Sequence, residues 1–297
     1  MCCDRRVTSP VGSPDTTAEE LRSVAELLAA EAAAFVRTRR GEVFGAPESG
    51  DAPVRGAVQA KSTPTDPVTI VDTDTERLLR QRLAELRPGD PILGEEEGGP
   101  SDTGASHPGQ VTWVLDPIDG TVNFVYGIPA YAVSIAAQLD GVSVAGAVAD
   151  VVAGEVFSAG RGLGAHVQGP SGRRALRCNG VADLSMALLG TGFGYSPTRR
   201  AAQAALLAQL LPQVRDVRRI GSAALDLCMV GAGRLDAHYE HGLNVWDWAA
   251  GALIAAEAGA WVQLPQRNED ILVAAAPGVA GELRDALDRV GGLTPLP

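Results

Sequence analysis

The middle of the chain contains a block of short β-strand patterns, with helical patterns on both sides. This block is the feature that most restricts which folds the sequence can adopt. Strand patterns occupy residues 131–139, 142–150, 155–159 and 165–168. The Asp140-Gly141 pair between the first two is typical of a tight hairpin turn. Successive hairpins predict an antiparallel meander and argue against a parallel dinucleotide-binding unit.

Helical periodicity precedes this block. Thr17 and Glu20 have the spacing of a capping box, and apolar residues follow at helical spacing up to Gly41, where we expect the first helix to end. A second helix is expected to start near Asp72 or Asp74. Short strands are expected between this helix and the meander, at 91–94 and 111–116.

Helix and strand alternate after the meander. Helices are expected at 198–211, 222–234, 246–258 and 279–290, and strands at 236–241, 261–264 and 271–275. This alternation predicts two sheets sandwiched by helices. The expected organisation is a disordered tail (1–16), an N-terminal α+β lobe (17–184) and a C-terminal α/β lobe (185–297). Segments 42–58 and 98–109, rich in Gly with Pro, Ala or Ser, are predicted loops, the second of them mobile.

Composition excludes several classes of function. A net charge of −11 argues against a nucleic-acid-binding surface, which needs clustered Lys and Arg. Apolar runs are shorter than the roughly 18–20 residues of a membrane span, and the N-terminus lacks a signal sequence, so we expect a cytoplasmic protein. The four cysteines have no zinc-ligand spacing and are expected to be reduced thiols.

The motif Asp116-Pro117-Ile118-Asp119-Gly120-Thr121 follows an apolar strand. Because Pro117 cannot donate to a strand ladder, we expect the strand to end here and to present both carboxylates at a turn. Gly120 permits close approach of a ligand to the backbone, and Thr121 is expected to start a helix where anions bind. Oxygen ligands favour Mg²⁺ or Mn²⁺ over zinc. The alternative is an acidic turn without a ligand.

Two further carboxylates are candidate ligands. Glu95 opens the run Glu95-Glu96-Glu97 after a predicted strand, the same layout as in the Asp116 motif, although such runs are often solvated surface. Asp247 lies at the start of an apolar helix, where it is either a ligand or a plain N-terminal cap.

The second helix carries an acidic pair near its start. Asp72 and Glu76 are four residues apart and repel each other unless a positive group lies near them. Lys61 is a candidate for that counter-charge and a candidate site residue. The alternative is that both acids are exposed on the helix.

These motifs occur in a characteristic order. The segments are 61–72, 94–96, 116–121, 221–224 and 246–251. With this order the chain resembles the inositol monophosphatase family, most nearly its bacterial SuhB-type members, from Leu21 to the final helix. The resemblance implies a five-layered αβαβα sandwich, two or three bound Mg²⁺ ions, inhibition by lithium and a homodimer. It also implies hydrolysis of a small phosphate monoester, most nearly myo-inositol 1-phosphate, by a metal-activated water.

The resemblance also assigns roles to residues. It implies that Glu95, Asp116 and the carbonyl of Ile118 bind one metal ion, and that Asp116, Asp119 and Asp247 bind the second. Glu95 and Thr121 would orient the water, with Asp72 accepting from the Thr121 hydroxyl. Substrate contacts are implied for the backbone of Gly120 and Thr121, which would take the phosphate, and for Asp119, Ser222, Ala223 and Glu240, the last three matching positions that contact inositol hydroxyls.

Alternatives remain at this point. Glu97 is an extra acid relative to the family pattern, so a shift of one residue would make Glu96 the ligand, although Glu95 follows Gly94 as the pattern requires. Related phosphatases act on fructose 1,6-bisphosphate, histidinol phosphate or adenosine bisphosphate. Glu240 favours a polyol, because a carboxylate accepts from hydroxyls and repels a second phosphate. Outside phosphatase chemistry, the chain could be a binding partner of the transcription machinery, or a metal-stabilised protein without catalysis.

Overall fold

The computed structural model describes residues 17–45, 56–61, 63–99 and 109–296. Its helices are α1 (Ala18–Phe44), α2 (Ile70–Leu86), α3 (Thr121–Tyr126), α4 (Pro197–Leu210), α5 (Ala223–Gly231), α6 (Val245–Glu257) and α7 (Ala280–Arg289). The predicted tail, with Cys2 and Cys3, lies outside the described residues, as does most of the two predicted loops. None of the described helices is long and apolar enough to cross a membrane.

A seven-stranded sheet forms the larger of two main sheets, in the order β3-β4-β5-β6-β7-β8-β9. The small pair β1 (Val58–Ala60) and β2 (Pro67–Thr69) lies before it in the chain. The sheet contains β3 (Ile92–Gly94), β4 (Val111–Asp119), β5 (Ala132–Leu139), β6 (Val142–Asp150), β7 (Glu155–Gly160), β8 (Ala165–Gly169) and β9 (Gly172–Ala175). All neighbours from β4 to β9 are antiparallel, which confirms the predicted meander.

A five-stranded mixed sheet follows, in the order β11-β10-β12-β14-β13. Its strands are β10 (Leu188–Thr191), β11 (Asp216–Arg218), β12 (Ala237–His241), β13 (Trp261–Gln263) and β14 (Ile271–Ala275). Strand β10 lies parallel to both β11 and β12. Strands β10 and β11 were missed by the sequence analysis, because segments of three or four residues carry little periodicity.

The elements stack in the five predicted layers. Helices α1 and α2 cover one face of the large sheet, and α5 and α6 lie between the two sheets. Helices α4 and α7 cover the outer face of the small sheet. The αβαβα prediction is therefore confirmed. The division at residue 184 stays a prediction, since α5 and α6 contribute to the apolar clusters on both sheets.

Helix α1 begins where the capping box placed it. Glu20 N–H donates to the Thr17 hydroxyl at 3.2 Å, and Thr17 N–H donates to the Glu20 carboxylate at 3.0 Å. The predicted stop at Gly41 is wrong, because the helix continues to Phe44. Phe44 is buried against the ring of Phe124, with centroids 5.3 Å apart, and this contact stabilises the extra turn.

Two predicted boundaries near the acidic motifs need correction. Strand β4 does not end at Asp116 but pairs with β5 as far as Asp119, with a register shift between these two residues. The irregularity accommodates Pro117, which has no N–H to donate. Helix α2 starts at Ile70, capped by Thr69, so Asp72 is its third residue and not its cap.

Candidate metal centre

Three carboxylates from distant parts of the chain meet in one cavity. Asp116 and Asp119 come from the irregular end of β4, and Asp247 is the third residue of α6. One oxygen from each lies within 4.8 Å of the other two. Asp116 is buried and the other two are half-buried, so the three carboxylates face one another with limited exposure to solvent.

The surroundings raise the pKa of each of these carboxyls. Burial, with the charges of Glu95, Asp119 and Asp247, raises the pKa of Asp116 well above its usual value. Burial and the neighbouring charges of Glu240 and Glu95 raise the pKa of Asp119 to about 7. Burial and the charge of Asp119 raise the pKa of Asp247. A cation would remove this repulsion, and a donor set of carboxylate oxygens fits a hard ion such as Mg²⁺ or Mn²⁺.

Asp119 is held in place by the start of α5. Its Oδ2 accepts from the Ser222 hydroxyl and from the Ala224 N–H, both at 2.6 Å. Ser222 also caps α5, because Leu225 N–H donates to its hydroxyl at 3.2 Å. The Ser222 hydroxyl, predicted to contact substrate, thus donates to a candidate metal ligand. Its neighbour Ala223 lines the cavity.

Asp247 both caps its helix and faces the cavity. Its Oδ2 accepts from the N–H of Asn244, the residue before α6, at 2.7 Å. It also belongs to the group of three carboxylates and lines the cavity. The two interpretations of Asp247 in the sequence are therefore compatible, since the cap fixes the side chain that the site uses.

Glu95 reaches the same cavity from the neighbouring strand. Strand β3 runs parallel to β4 with Gly94 opposite Leu115, so Glu95 and Asp116 follow adjacent strand positions. Glu95 lines the cavity, and its Oε1 lies 2.7 Å from Lys61 Nζ. Glu96 is not among the residues that line it, and its carboxylate also contacts Lys61, at 2.5 Å. This placement favours Glu95 over Glu96 as the candidate ligand.

Lys61 places a positive charge in direct contact with Glu95 and Glu96. Although burial opposes it, the Glu95 and Glu96 carboxylates raise the pKa of Lys61 above its usual value. Burial raises the pKa of Glu96 to about 7. Lys61 therefore stays charged and partly neutralises the acidic turn, and its direct contacts are with Glu95 and Glu96 and not with Glu76.

Thr121 lies between the acidic motif and helix α2. Its hydroxyl is 3.1 Å from Asp72 Oδ1 and 3.0 Å from the carbonyl oxygen of Ile118. Asp72 Oδ2 in turn accepts from Thr69 N–H at 2.9 Å, closing the capping box of α2. Burial raises the pKa of Asp72 to about 6, and the hydrogen bonds from Thr69 oppose that shift. Gly120, just before Thr121, has a φ of 98°.

Glu76 is buried in a separate network behind the acidic turn. The alternative in which Asp72 and Glu76 are exposed helix acids is excluded, because both are 0% exposed. The counter-charge of Glu76 is Arg80, whose Nη2 lies 2.8 Å from Glu76 Oε1. A Cβ atom at residue 94 would lie 2.1 Å from the same oxygen, so only the glycine present at that position leaves room for this carboxylate.

The candidate metal ligands line one cavity of about 670 Å³. Its lining includes the four candidate acids with Lys61, Ile118, Gly120, Thr121, Ser222, Ala223 and Glu240, as well as Tyr195, Arg199, Arg219 and Asp226, which the sequence analysis missed. A polar pair near Asp226 could have been suspected, since His238 and Glu240 are two residues apart on a predicted strand and so lie on the same face of it. Arg199, near the start of α4, and Arg219, just after β11, had no such signal, because surface arginines are common in helices and loops.

Comparison with known proteins gives the family. The inositol monophosphatase family model matches residues 17–290. An inositol-1-monophosphatase of Mycobacterium leprae is 71% identical over 288 residues, 95% of this chain and 98% of that protein. A Nus factor SuhB of Pasteurella multocida is 39% identical over 229 residues, 75% of this chain and 82% of that protein.

A solved structure agrees with these matches. The structure of Mycobacterium tuberculosis SuhB superposes with a TM-score of 0.80 and 63% sequence identity, covering 94% of this chain and all of that one. Three observations agree: the order of the acidic motifs, the layered fold and the match along almost the whole chain. This chain belongs to the inositol monophosphatase family.

Proposed function

We propose that this protein hydrolyses a small phosphate monoester with Mg²⁺, and that its main substrate is myo-inositol 1-phosphate. The observation that carries the proposal is the meeting of Asp116, Asp119 and Asp247 in a cavity that Glu95 and Thr121 also line. Support for the substrate comes from the M. leprae relative, which is named an inositol-1-monophosphatase.

The chain's own residues would divide the work between cation binding and orientation. Glu95, Asp116 and the Ile118 carbonyl would hold one Mg²⁺, and Asp116, Asp119 and Asp247 would hold a second. When bound, the ions would lower the pKa of a water molecule and neutralise charge on the phosphate oxygens. Mn²⁺ has the same ligand preferences and is an alternative ion.

The attacking water would be oriented by Thr121 and Glu95. The Thr121 hydroxyl donates a hydrogen bond to Asp72 Oδ1 at 3.1 Å. Because the Asp72 carboxylate takes this hydrogen bond, the hydroxyl oxygen is free to accept one from the water. The N–H groups of Gly120 and Thr121 would bind the phosphate. No covalent phosphoenzyme is needed in this mechanism, because water is the nucleophile.

One further side chain in the cavity favours a neutral polyol as the leaving group. Glu240 lines the cavity, with a side chain that is 12% exposed, and can accept hydrogen bonds from hydroxyl groups. Arg199 and Arg219 also line the cavity and favour a second candidate, a bisphosphate such as fructose 1,6-bisphosphate, whose second phosphate an arginine could bind.

A substrate panel tests the proposal. Phosphate release should be measured for myo-inositol 1-phosphate, fructose 1,6-bisphosphate, histidinol phosphate and adenosine bisphosphate, with Mg²⁺ and after removal of metal by EDTA. The proposal requires the highest kcat/KM for inositol 1-phosphate and loss of activity in EDTA that Mg²⁺ restores. A higher kcat/KM for a bisphosphate would show that inositol 1-phosphate is not the main substrate, but the proposed reaction would stand. Turnover without metal would refute both the proposed substrate and the proposed reaction.

A role as a partner of the transcription machinery is the non-enzymatic candidate. It draws on relatives such as the P. multocida protein, which is named a Nus factor. The greater similarity to the M. leprae enzyme favours catalysis. A pull-down from cell lysate with the Asp116→Asn variant, whose hydrolysis should be lost, would detect a partner without interference from turnover.

A further inference from the structure

His238 lies fully buried beside two carboxylates, Asp226 and Glu240, that line the cavity. It is 0% exposed, and its Nδ1 is 3.9 Å from Asp226 Oδ2 while its Nε2 is 3.5 Å from Glu240 Oε2. Neither ring nitrogen has a hydrogen-bond partner in the described part of the chain, and Asp226 Oδ1 has none either. Buried polar groups are normally hydrogen-bonded, so a buried imidazole that lies beside two carboxylates without a hydrogen bond to either requires an explanation.

Two glycines, Gly190 in β10 and Gly192 just after it, leave room for the side chains of Asp226, His238 and Glu240. A Cβ atom at Gly190 would lie 3.0 Å from His238 Nδ1 and 3.1 Å from Asp226 Oδ1. A Cβ atom at Gly192 would lie 2.1 Å from the Glu240 carboxylate. Two glycines at alternate positions thus open a slot beside β12, and the slot continues from Asp226 on α5 to the carboxylate that lines the cavity.

The charges around His238 favour its protonated form. Burial lowers the pKa of His238, but the charge of Asp226, together with Glu240 and Asp119, outweighs burial and raises it above its usual value. Burial raises the pKa of Asp226 to about 7, with His238 and Arg219 opposing that shift. A positive ring between two acids stabilises both, and without it Asp226 and Glu240 would repel each other.

We propose that His238 is a positioning residue that holds Glu240 in the orientation that accepts hydrogen bonds from substrate hydroxyls, with Asp226 fixing the far side of the ring. The inference rests on the proposed polyol substrate and deepens it, since it names what sets selectivity for hydroxyl-bearing esters. The ring nitrogens of His238 lie 3.5 Å from Glu240 Oε2 and 3.9 Å from Asp226 Oδ2, so both carboxylates are close enough to orient the imidazole electrostatically.

Selectivity is the quantity to measure. It is defined as kcat/KM for inositol 1-phosphate divided by kcat/KM for p-nitrophenyl phosphate, an ester without aliphatic hydroxyls. His238→Phe should lower this ratio about tenfold, mainly through KM for the inositol ester. His238→Gln keeps an N–H group that can reach Glu240. It should therefore lower the ratio by only about threefold, which is half of the tenfold loss on a logarithmic scale. His166→Phe, on β8 in the other sheet, is the matched control and should leave the ratio unchanged.

A double-mutant cycle separates positioning from general stability. If His238 acts through Glu240, His238→Phe should change the ratio less than about twofold when Glu240→Gln is already present. An equal loss on both esters, or an undiminished effect in the Glu240→Gln background, would overturn the inference. If the thermal midpoint shows that His238→Phe does not fold, His238→Gln takes its place in the cycle under the same criteria.

Failure of the proposed substrate would be recognised separately, in the wild-type protein. If the wild type prefers another hydroxyl-bearing ester of the panel, inositol 1-phosphate is the wrong substrate, and the same cycle is judged on the preferred ester. A wild type with no preference for any hydroxyl-bearing ester over p-nitrophenyl phosphate would overturn the inference itself.

Discussion

The buried carboxylate of Glu76 accepts a hydrogen bond from the backbone N–H of Glu96 at 2.8 Å. Its other oxygen accepts from Glu97 N–H at 3.0 Å and from Arg80. Helix α2 therefore fixes the turn that carries Glu95, although Glu76 itself does not line the cavity. The geometry of a candidate metal ligand is set by a residue on a different element.

Glu76→Gln should weaken metal binding through this turn. The amide keeps one acceptor oxygen but turns its NH₂ group toward a backbone N–H, which leaves buried donors unpaired at a cost of about 1–3 kcal/mol. We expect a lower thermal midpoint and an apparent Mg²⁺ activation constant raised about fivefold. Glu85→Gln, on the exposed side of the same helix, is the control. A variant that loses stability but keeps the wild-type activation constant would show that Glu76 is only structural.

Asp116→Asn should abolish turnover while the protein remains folded. The substitution removes a ligand proposed to be shared by two ions, but the Asn Oδ1 can still accept from Ile118 N–H, a bond of 3.0 Å in the structure. Removing one of three facing charges should also raise the thermal midpoint of the metal-free protein. Phosphate release and thermal midpoint should be measured on the same samples. Near-normal activity would refute the assigned role.

The metal-free protein should become less stable as pH rises from about 5 to 8. Asp119, with a folded-state pKa raised to about 7, keeps its proton in the folded state after the unfolded chain has lost it. The folded state then binds more protons, so the free energy of unfolding falls with pH through this window. Urea unfolding in EDTA at both pH values measures this, with metal-free Asp116→Asn expected to give a smaller difference. Greater stability at pH 8 than at pH 5 would contradict the raised pKa of Asp119.

Lys61→Met should lower the Mg²⁺ concentration needed for half-maximal activity. The ammonium lies 2.7 Å from Glu95 Oε1 and competes with a cation for that oxygen. Removing one partly exposed charge should lower the activation constant about threefold. Lys61→Arg keeps the charge and should behave like the wild type. An unchanged or higher constant for the methionine variant would mean that Lys61 moves away from Glu95 at no cost when metal binds.

Lithium should inhibit turnover at millimolar concentrations. This prediction follows from the family resemblance, and the oxygen donors of the three aspartates are the ligands that a small hard cation prefers. Initial rates at fixed Mg²⁺ should fall as Li⁺ is added, with Na⁺ at equal ionic strength as the control. Equal rates in the two salts would set this protein apart from its family.

Local signals located most of the elements and the acidic motifs. The capping box at Thr17 and the Asp140-Gly141 turn act within a few residues, so the sequence reveals them directly. The end of β4 was misplaced because its pairing past Pro117 depends on β5, a partner that lies later in the chain. Long-range pairing overrides a local preference of this kind.

The site was only partly predictable for the same reason. Carboxylates at strand ends identified Asp116, Asp119 and Glu95 as candidates, but their convergence with Asp247 depends on how two sheets stack. The role of Glu76 was invisible, because its partners are backbone groups of residues 96 and 97. His238 was missed because its meaning comes from Asp226 on another element, at a distance of 3.9 Å.

Asp247 enters the cavity from α6, far along the chain from the strand that supplies Asp116 and Asp119. During synthesis the large sheet leaves the ribosome first, and until α6 follows, the two aspartates of β4 have no third partner. The group of three aspartates, and the second ion site proposed for it, can therefore form only late in translation. A growing polypeptide that stalls before α6 would carry two of the three aspartates and would lack the ligand set proposed for the second ion.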